Sequence, residues 1–158
     1  MKLSPEVATA KTAMLIRKPI SEVFNAFMNP AITTKFWFTK STGRLQEGTT
    51  VEWTWEMYDV TDSVFVKKVE TNKYIEFDWG TKAETSRTTV ELHFEKVNDH
   101  FTFVSVVNYG FDGDTKKIME SICDSTGGFA LVLAGLKAYL EFNIQLGLVI
   151  DRFPQGKK

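Results

Sequence analysis

Residues 126–149, TGGFALVLAGLKAYLEFNIQLGLV, constrain this chain more than any other stretch. Phe129, Val132, Leu133, Leu136, Tyr139, Leu140 and Asn143 recur at three- and four-residue steps, so they share one stripe of an α-helix. The opposite side is hardly polar: Leu131, Ala134, Ala138 and Phe142 lie there, and only Lys137 and Glu141 carry charge. A helix apolar nearly all round must be wrapped by protein on most of its circumference. Ser125 and Thr126 are the expected N-cap acceptors, and Gly147 offers a way out of the helix. Gly127 and Gly128 each cost about 1 kcal/mol against Ala inside a helix, so they are expected at its start, where another backbone comes close. The rest of the chain reads as strands. A curved sheet gripping one long helix is the arrangement that satisfies both.

The chain leads up to that helix in an orderly way. Residues 7–17 alternate as a first strand, which Pro19 stops. Ser21 precedes a helical pattern with Val23, Phe24, Phe27 and Met28 on one face and Glu22 in the first turn. Asn29-Pro30 ends it, because a residue before proline is pushed out of the α region. A second short helical turn over 31–35 leads into Phe36-Trp37-Phe38, and Gly43 and Gly48 punctuate the hairpin that follows.

Strands fill the middle. Over residues 51–57, Val51, Trp53, Trp55 and Met57 face one way and polar residues the other. Residues 64–69 form the next strand, with a phase slip at Lys67-Lys68 that predicts a bulge. After a turn at Thr71-Asn72-Lys73, Ile75, Phe77 and Trp79 share a face, and residues 80–86 read as a polar loop. Val90, Leu92 and Phe94 alternate with Glu91, His93 and Glu95, and Asn98-Asp99 turns into a last strand over 101–109. A short amphipathic piece, 116–123, with Ile118, Met119 and Ile122 on one side, feeds the long helix.

At 158 residues, 43% hydrophobic and 25% charged, residues 1–158 are expected to form one domain with a substantial core. A formal net charge of −1 gives no electrostatic case for nucleic acid or an anionic membrane as main partner. The single cysteine, Cys123, excludes an internal disulfide and suits a reducing compartment. The opening MKLSPEVATA lacks a signal-like apolar region, and no apolar run is long enough for a bilayer, so the expectation is a soluble, cytoplasmic protein.

Gly127-Gly128-Phe129, followed by Leu133, Leu136-Lys137 and Tyr139-Leu140-Glu141, resembles the terminal helix of a known family: homologues of the activator of the ninety-kilodalton heat-shock protein ATPase. Upstream, Pro19-Ile20 with Val23-Phe24 and Phe27, then Trp37, Gly48 before Trp53, and Val69 before Ile75, Phe77 and Trp79 follow the same order. The family belongs to the START-like, birch-pollen-allergen (SRPBCC) superfamily. What the resemblance implies is an α+β helix-grip fold: an antiparallel sheet curled around the long helix, two short helices after the first strand, and a cavity between sheet and helix. The fold hosts ligand carriers, cyclases and chaperone regulators, so function must be argued from the site. The resemblance leaves room for a homodimer. It also raises a chaperone partner, weakened by the want of the extra N-terminal domain that the heat-shock activator proper carries.

Motifs for chemistry are sparse. His93 is expected to point away from the interior, and His100 sits in a turn. Cys123 has no basic cluster beside it and reads as a buried, inert thiol. Gly110-Phe111-Asp112-Gly113-Asp114 lacks the later ligands of a calcium loop, and no metal or cofactor is called for. Glu52 and Glu56 are expected outside, so they form no acid/base pair.

What remains is the aromatic face. Trp37, Trp53, Trp55, Phe77 and Trp79 are expected to converge with Phe129, Leu133 and Leu136. These rings either fill a core or line a cavity for a small hydrophobic or aromatic molecule. Indole N–H groups sit badly in a dry core without partners, and several tryptophans facing one helix are hard to pack without a void. Both arguments favour the cavity, with Asn108 and Tyr109 as candidate polar contributors and no titrating group facing the ligand. The expected function is ligand binding without catalysis. The alternatives are a chaperone-linked protein-interaction module, marked by an exposed apolar patch, and a cyclase- or hydrolase-type enzyme, marked by a pKa-shifted acid or base in the pocket.

Overall fold

Seven strands form one antiparallel sheet, and the long helix lies across its concave face. The computed structural model describes residues 8–81 and 87–154. The elements run β1 (Thr9–Ile16), α1 (Ile20–Met28), α2 (Pro30–Thr33), β2 (Lys40–Ser41), β3 (Thr50–Trp55), β4 (Val60–Glu70), β5 (Tyr74–Thr81), β6 (Thr88–Lys96), β7 (Thr102–Tyr109) and α3 (Thr115–Phe142). The strand order is β1-β7-β6-β5-β4-β3-β2: a meander from β2 to β7, with β1 closing on β7. This is the helix-grip arrangement. Among the described residues no helix is long and apolar enough to cross a membrane.

Alternation decides which residues reach the core. Val64 and Val66 on β4, Ile75 and Phe77 on β5, and Val90 and Leu92 on β6 are all buried. Registers such as Val66↔Phe77 and Leu92↔Val106 stack these residues across strands on one face. The register of β4 against β5 shifts between Val66 and Lys68, the bulge that the phase slip predicts. Asn72 takes a left-handed φ of 60° in the β4–β5 turn.

Several boundaries differ from the sequence reading. The strand expected over 51–57 stops at Trp55, because Trp55 pairs with Val60 and the chain must reverse within a 3₁₀ turn at Glu56–Tyr58. Met57 therefore leaves the strand, and β4 begins earlier than its apolar residues suggest. Helix α1 starts at Ile20 rather than after Ser21, with the Glu22 and Val23 amides donating to the Pro19 carbonyl. Asn29 ends α1, and its side chain accepts from the Ala31 amide to cap α2. Of the loop expected over 80–86, Gly80 and Thr81 extend β5, and 82–86 lie outside the described residues.

The largest correction concerns α3. The amphipathic piece at 116–123 and the long apolar stretch are one helix, capped by Asp114, whose carboxylate accepts from the Lys117 amide at 2.8 Å. It ends at Phe142, well before Gly147, because Asn143 adopts φ 54° and its N–H bonds back to Tyr139 O. Gly127 and Gly128 thus sit inside the helix rather than at its start. What comes close to them is a side chain: a Cβ at Gly128 would lie 2.7 Å from Arg152 Nη1, and one at Gly127 would lie 3.1 Å from Nη2. Cys123 is exposed, not buried, because it lies on the side of α3 opposite Val132.

Polar groups fix the far end of α3 to β1. Lys137 Nζ donates to Leu15 O at 3.0 Å and pairs with Glu141 at 2.7 Å, and the Arg17 amide donates to Glu141 at 3.0 Å. Burial pushes the Glu141 carboxyl up, but the Arg17 N–H and the Lys137 ammonium outweigh it and hold it below its ordinary value. On the convex face, Tyr109 donates to Glu91 at 2.8 Å, and Tyr74 donates to Glu76 at 2.7 Å. His93 also points outward, to Glu91.

Two glycines of one helix carry opposite expectations. A Cβ at Gly135 would sit 3.3 Å from both the Phe36 carbonyl oxygen and Cβ, which cannot yield without moving the α2–β2 connection. Gly135→Ala should therefore lose about 1–3 kcal/mol to overpacking, more than the roughly 1 kcal/mol gained in helix propensity, and its melting temperature should fall. At Gly128 the obstacle is the flexible end of Arg152, so Gly128→Ala should keep or raise the melting temperature. Hydrogen exchange should instead show faster opening of residues 144–154 in that variant.

Burial and the bond to Glu91 push the Tyr109 phenol from about 10 up to about 12, so the fold favours the neutral ring. Its contribution is complete below pH 10 and is lost as pH rises from about 10 towards 12. Denaturant melts across that range should show falling stability, and Tyr109→Phe should flatten the slope.

Candidate functional site

One end of the sheet does not close on α3. Here lie the end of β3, the start of β4, the end of β5, the start of β6 and the end of β7, opposite the N-terminal half of the helix. The buried stripe of α3 begins only at Phe129, so the turns before it stand over a cleft of about 760 Å³. The segment after the helix forms the remaining wall. Val149, Arg152 and Phe153 line the cleft; Tyr58 OH donates to Val149 O, the Phe153 ring meets Tyr58 edge-on at 6.2 Å, and Arg152 bonds Asp124 at 3.1 Å.

The eight residues singled out from the sequence form one connected aromatic and aliphatic cluster, but at two depths. Trp37, Trp55, Trp79 and Phe129 line the cleft. Trp37 touches both Trp79 and Phe129, at centroid distances of 5.9 and 5.7 Å, and Trp79 lies 5.7 Å from Phe129. Trp53, Phe77, Leu133 and Leu136 are at most 1% exposed and make the floor beneath, away from the cleft surface. Phe38, stacked on Trp53 at 4.4 Å, belongs to that floor as well. The Phe36-Trp37-Phe38 triplet was the sequence signal for it.

The polar part of the site is a hydrogen-bonded chain from α3 to β5. Ser125 Oγ donates to Asn108 Oδ1 at 2.8 Å. Asn108 Nδ2 donates to Thr89 O at 2.8 Å and to Thr88 Oγ1 at 3.1 Å. The Trp79 indole N–H donates to the same Thr88 oxygen at 3.1 Å. Asn108 is 2% exposed, and both its amide hydrogens and its carbonyl oxygen have partners. Tyr109, one residue on, faces the convex side and takes no part. Period-two alternation puts one of this pair inside but does not say which; the Val90↔Asn108 register on the core face settles it.

One expectation needs correction. The cleft does carry titrating groups: Asp62, Asp112, Lys117, Asp124 and Arg152 stand along its wall. They come from the start of β4, the β7–α3 connection, the N-terminal half of α3 and the segment after it, and nothing in the sequence pattern signals a shared surface. Thr88, Ser125 and the segment after α3 were missed for the same reason. Both histidines lie elsewhere, His93 on the convex face and His100 in the β6–β7 turn, and Cys123 is not part of the lining. Among the described residues no cluster of His, Cys, Asp and Glu could hold a metal ion. The geometry can enclose an apolar body between rings and orient it by a few fixed polar groups.

Comparison with known proteins places this architecture. Among curated proteins none matches the chain. Among solved structures, protein SSP2350 from Staphylococcus saprophyticus is 29% identical, with a TM-score of 0.73 over 87% of this chain and 95% of that one. The Aha1 dimer from Colwellia psychrerythraea is 18% identical, with a TM-score of 0.72 over 85% of this chain and 96% of that one. DynU16, from the dynemicin biosynthetic locus, is 14% identical with a TM-score of 0.77 over 87% of this chain, which spans 49% of that one. The last two likenesses concern the fold alone. A family model, described as Activator of Hsp90 ATPase homolog 1-like protein, matches residues 17–141, from the end of β1 through nearly all of α3. The chain therefore belongs to the family of activator of Hsp90 ATPase homolog 1-like proteins.

Proposed function

We propose that this protein binds a small hydrophobic or aromatic molecule in the cleft between the sheet end and α3, without catalysis. The observation that carries the reading is an open volume of about 760 Å³ walled by Trp37, Trp55, Trp79 and Phe129, within the range of small-molecule pockets. Ring faces supply the affinity and the Ser125–Asn108–Thr88 chain the orientation. A cytoplasmic setting belongs to this reading, supported by a lone, unpaired thiol.

Protein interaction is the second reading, and one observation favours it. Phe142, Ile144, Leu146 and Ile150 are each about half exposed or more within a nine-residue segment. A second copy of the chain or a chaperone would cover them. Phe142→Ser with Leu146→Ser should then weaken association while leaving the cleft untouched.

Native mass spectrometry of freshly purified protein should detect a co-purified small molecule and count subunits in the same spectrum. Titration with naphthalene-based probes should change indole emission. Trp55→Phe and Trp37→Phe should each cut that response, while Trp53→Phe, at the floor, should largely preserve it. Binding of a neutral probe should be level between pH 6 and 8, because neither imidazole lines the cleft. Absence of any bound molecule and of any indole response would remove the binding reading. Turnover of ester or polyketide-like substrates with a pH-dependent rate would replace it by an enzymatic one.

A further inference from the structure

Counting hydrogens along the polar chain leaves one over, and it belongs to Thr88. A threonine hydroxyl offers one hydrogen and two lone pairs. Both lone pairs of Thr88 Oγ1 are engaged, by the Trp79 indole N–H and the Asn108 amide, each at 3.1 Å. Neither donor can be reversed. An indole nitrogen only donates. The Asn108 amide is held in its orientation because Nδ2 also faces the Thr89 carbonyl at 2.8 Å, where an oxygen would meet an oxygen. At its other end, Asn108 Oδ1 receives Ser125 Oγ–H at 2.8 Å. The Thr88 hydrogen has no acceptor among the described residues, and Thr88 lines the cleft beside Trp79.

Resting on the binding function proposed above, we infer that Thr88 is the specificity-determining residue of the cleft: it donates its hydroxyl hydrogen to an acceptor oxygen on the bound molecule. The ligand class narrows accordingly, to flat apolar or aromatic molecules carrying a carbonyl-type oxygen near one end. Asn108 and Trp79 act as positioning residues. By occupying both lone pairs, they leave the hydroxyl hydrogen a single direction, and they bar it from serving a ligand donor. A ligand hydroxyl placed there as donor would find no lone pair, so the site discriminates in sign as well as in strength.

The test uses the whole protein and two probes of one shape: 6-propionyl-2-(dimethylamino)naphthalene, a ketone, and its 6-propyl counterpart, which lacks the carbonyl. The ketone should bind roughly threefold to tenfold more tightly, the worth of one neutral hydrogen bond. The carbonyl stretch of the bound ketone should lie below its frequency in dry hydrocarbon solvent. Thr88→Val should bring the two affinities together and return the stretch towards the free value, while Thr88→Ser should retain both effects. Valine also strips Trp79 and Asn108 of their acceptor; if that variant does not fold, Thr88→Cys keeps a weak donor and acceptor and should give an intermediate preference. Equal affinities in the wild type would overturn this inference and leave the cleft function standing. A lowered stretch unchanged in every Thr88 variant would overturn it too, by showing that another group or water is the donor. Failure of both probes to bind would overturn the inference and the binding function together.

Discussion

The contact between one half of α3 and the concave sheet is the constraint on which everything else depends. Phe129, Val132, Leu133 and Leu136 are at most 5% exposed, and each fully buried side chain of this size contributes about 1.5–3 kcal/mol. Gly135 lets this part of the helix press on the Phe36 backbone. Helix α1 then seals the sheet end away from the cleft, with Phe24 and Phe27 both packed edge-on against Phe94, at 5.1 and 5.6 Å. Because the helix is held tightly along one half only, its other half is free to roof a space. The cleft is thus a by-product of where the apolar stripe begins.

That asymmetry explains how far the sequence could be read. The fold was legible because alternation and three-to-four periodicity are local signals, and residues such as Val51, Trp53 and Trp55 obey them. Depth is not local. Trp53 and Trp55 share a face two residues apart, yet one lies in the floor and the other in the cleft wall, because the sheet closes over the first and ends at the second. Helix α3 was cut at Gly127 by propensity, since glycine pairs ordinarily mark ends. What the two glycines make room for is a guanidinium arriving from residue 152, and no sequence pattern links these positions. The far end of the helix was overrun for the converse reason: Asn143 fits the stripe by spacing, but its tolerance of left-handed backbone made it the stop.

The site itself divides along the same line. Its aromatic wall comes from regular elements and could be anticipated; its polar chain joins Ser125, Asn108, Thr88 and Trp79 from four elements, and of these only Asn108 and Trp79 could be picked out in advance. An amide with both hydrogens and its carbonyl oxygen engaged is held in one orientation, and a fixed polar group of this kind is what the binding function proposed above needs beside the rings.

The Lys137–Glu141 pair has a bearing on how copies of this chain behave towards one another. Strand β1 is an outer strand, and the unpaired side of such a strand is a template for adding further strands and so for aggregation. Along that side, Leu15 O and Arg17 N–H already have partners, the first a lysine ammonium and the second a glutamate carboxylate, both from the helix. Two helical side chains one turn apart thereby occupy the donor and acceptor positions that an incoming strand would take. At the opposite border, β2 is two residues long and offers almost nothing to extend. Growth is thus opposed at both margins of an open seven-stranded sheet, at one end of β1 by impersonating a neighbour and at β2 by brevity.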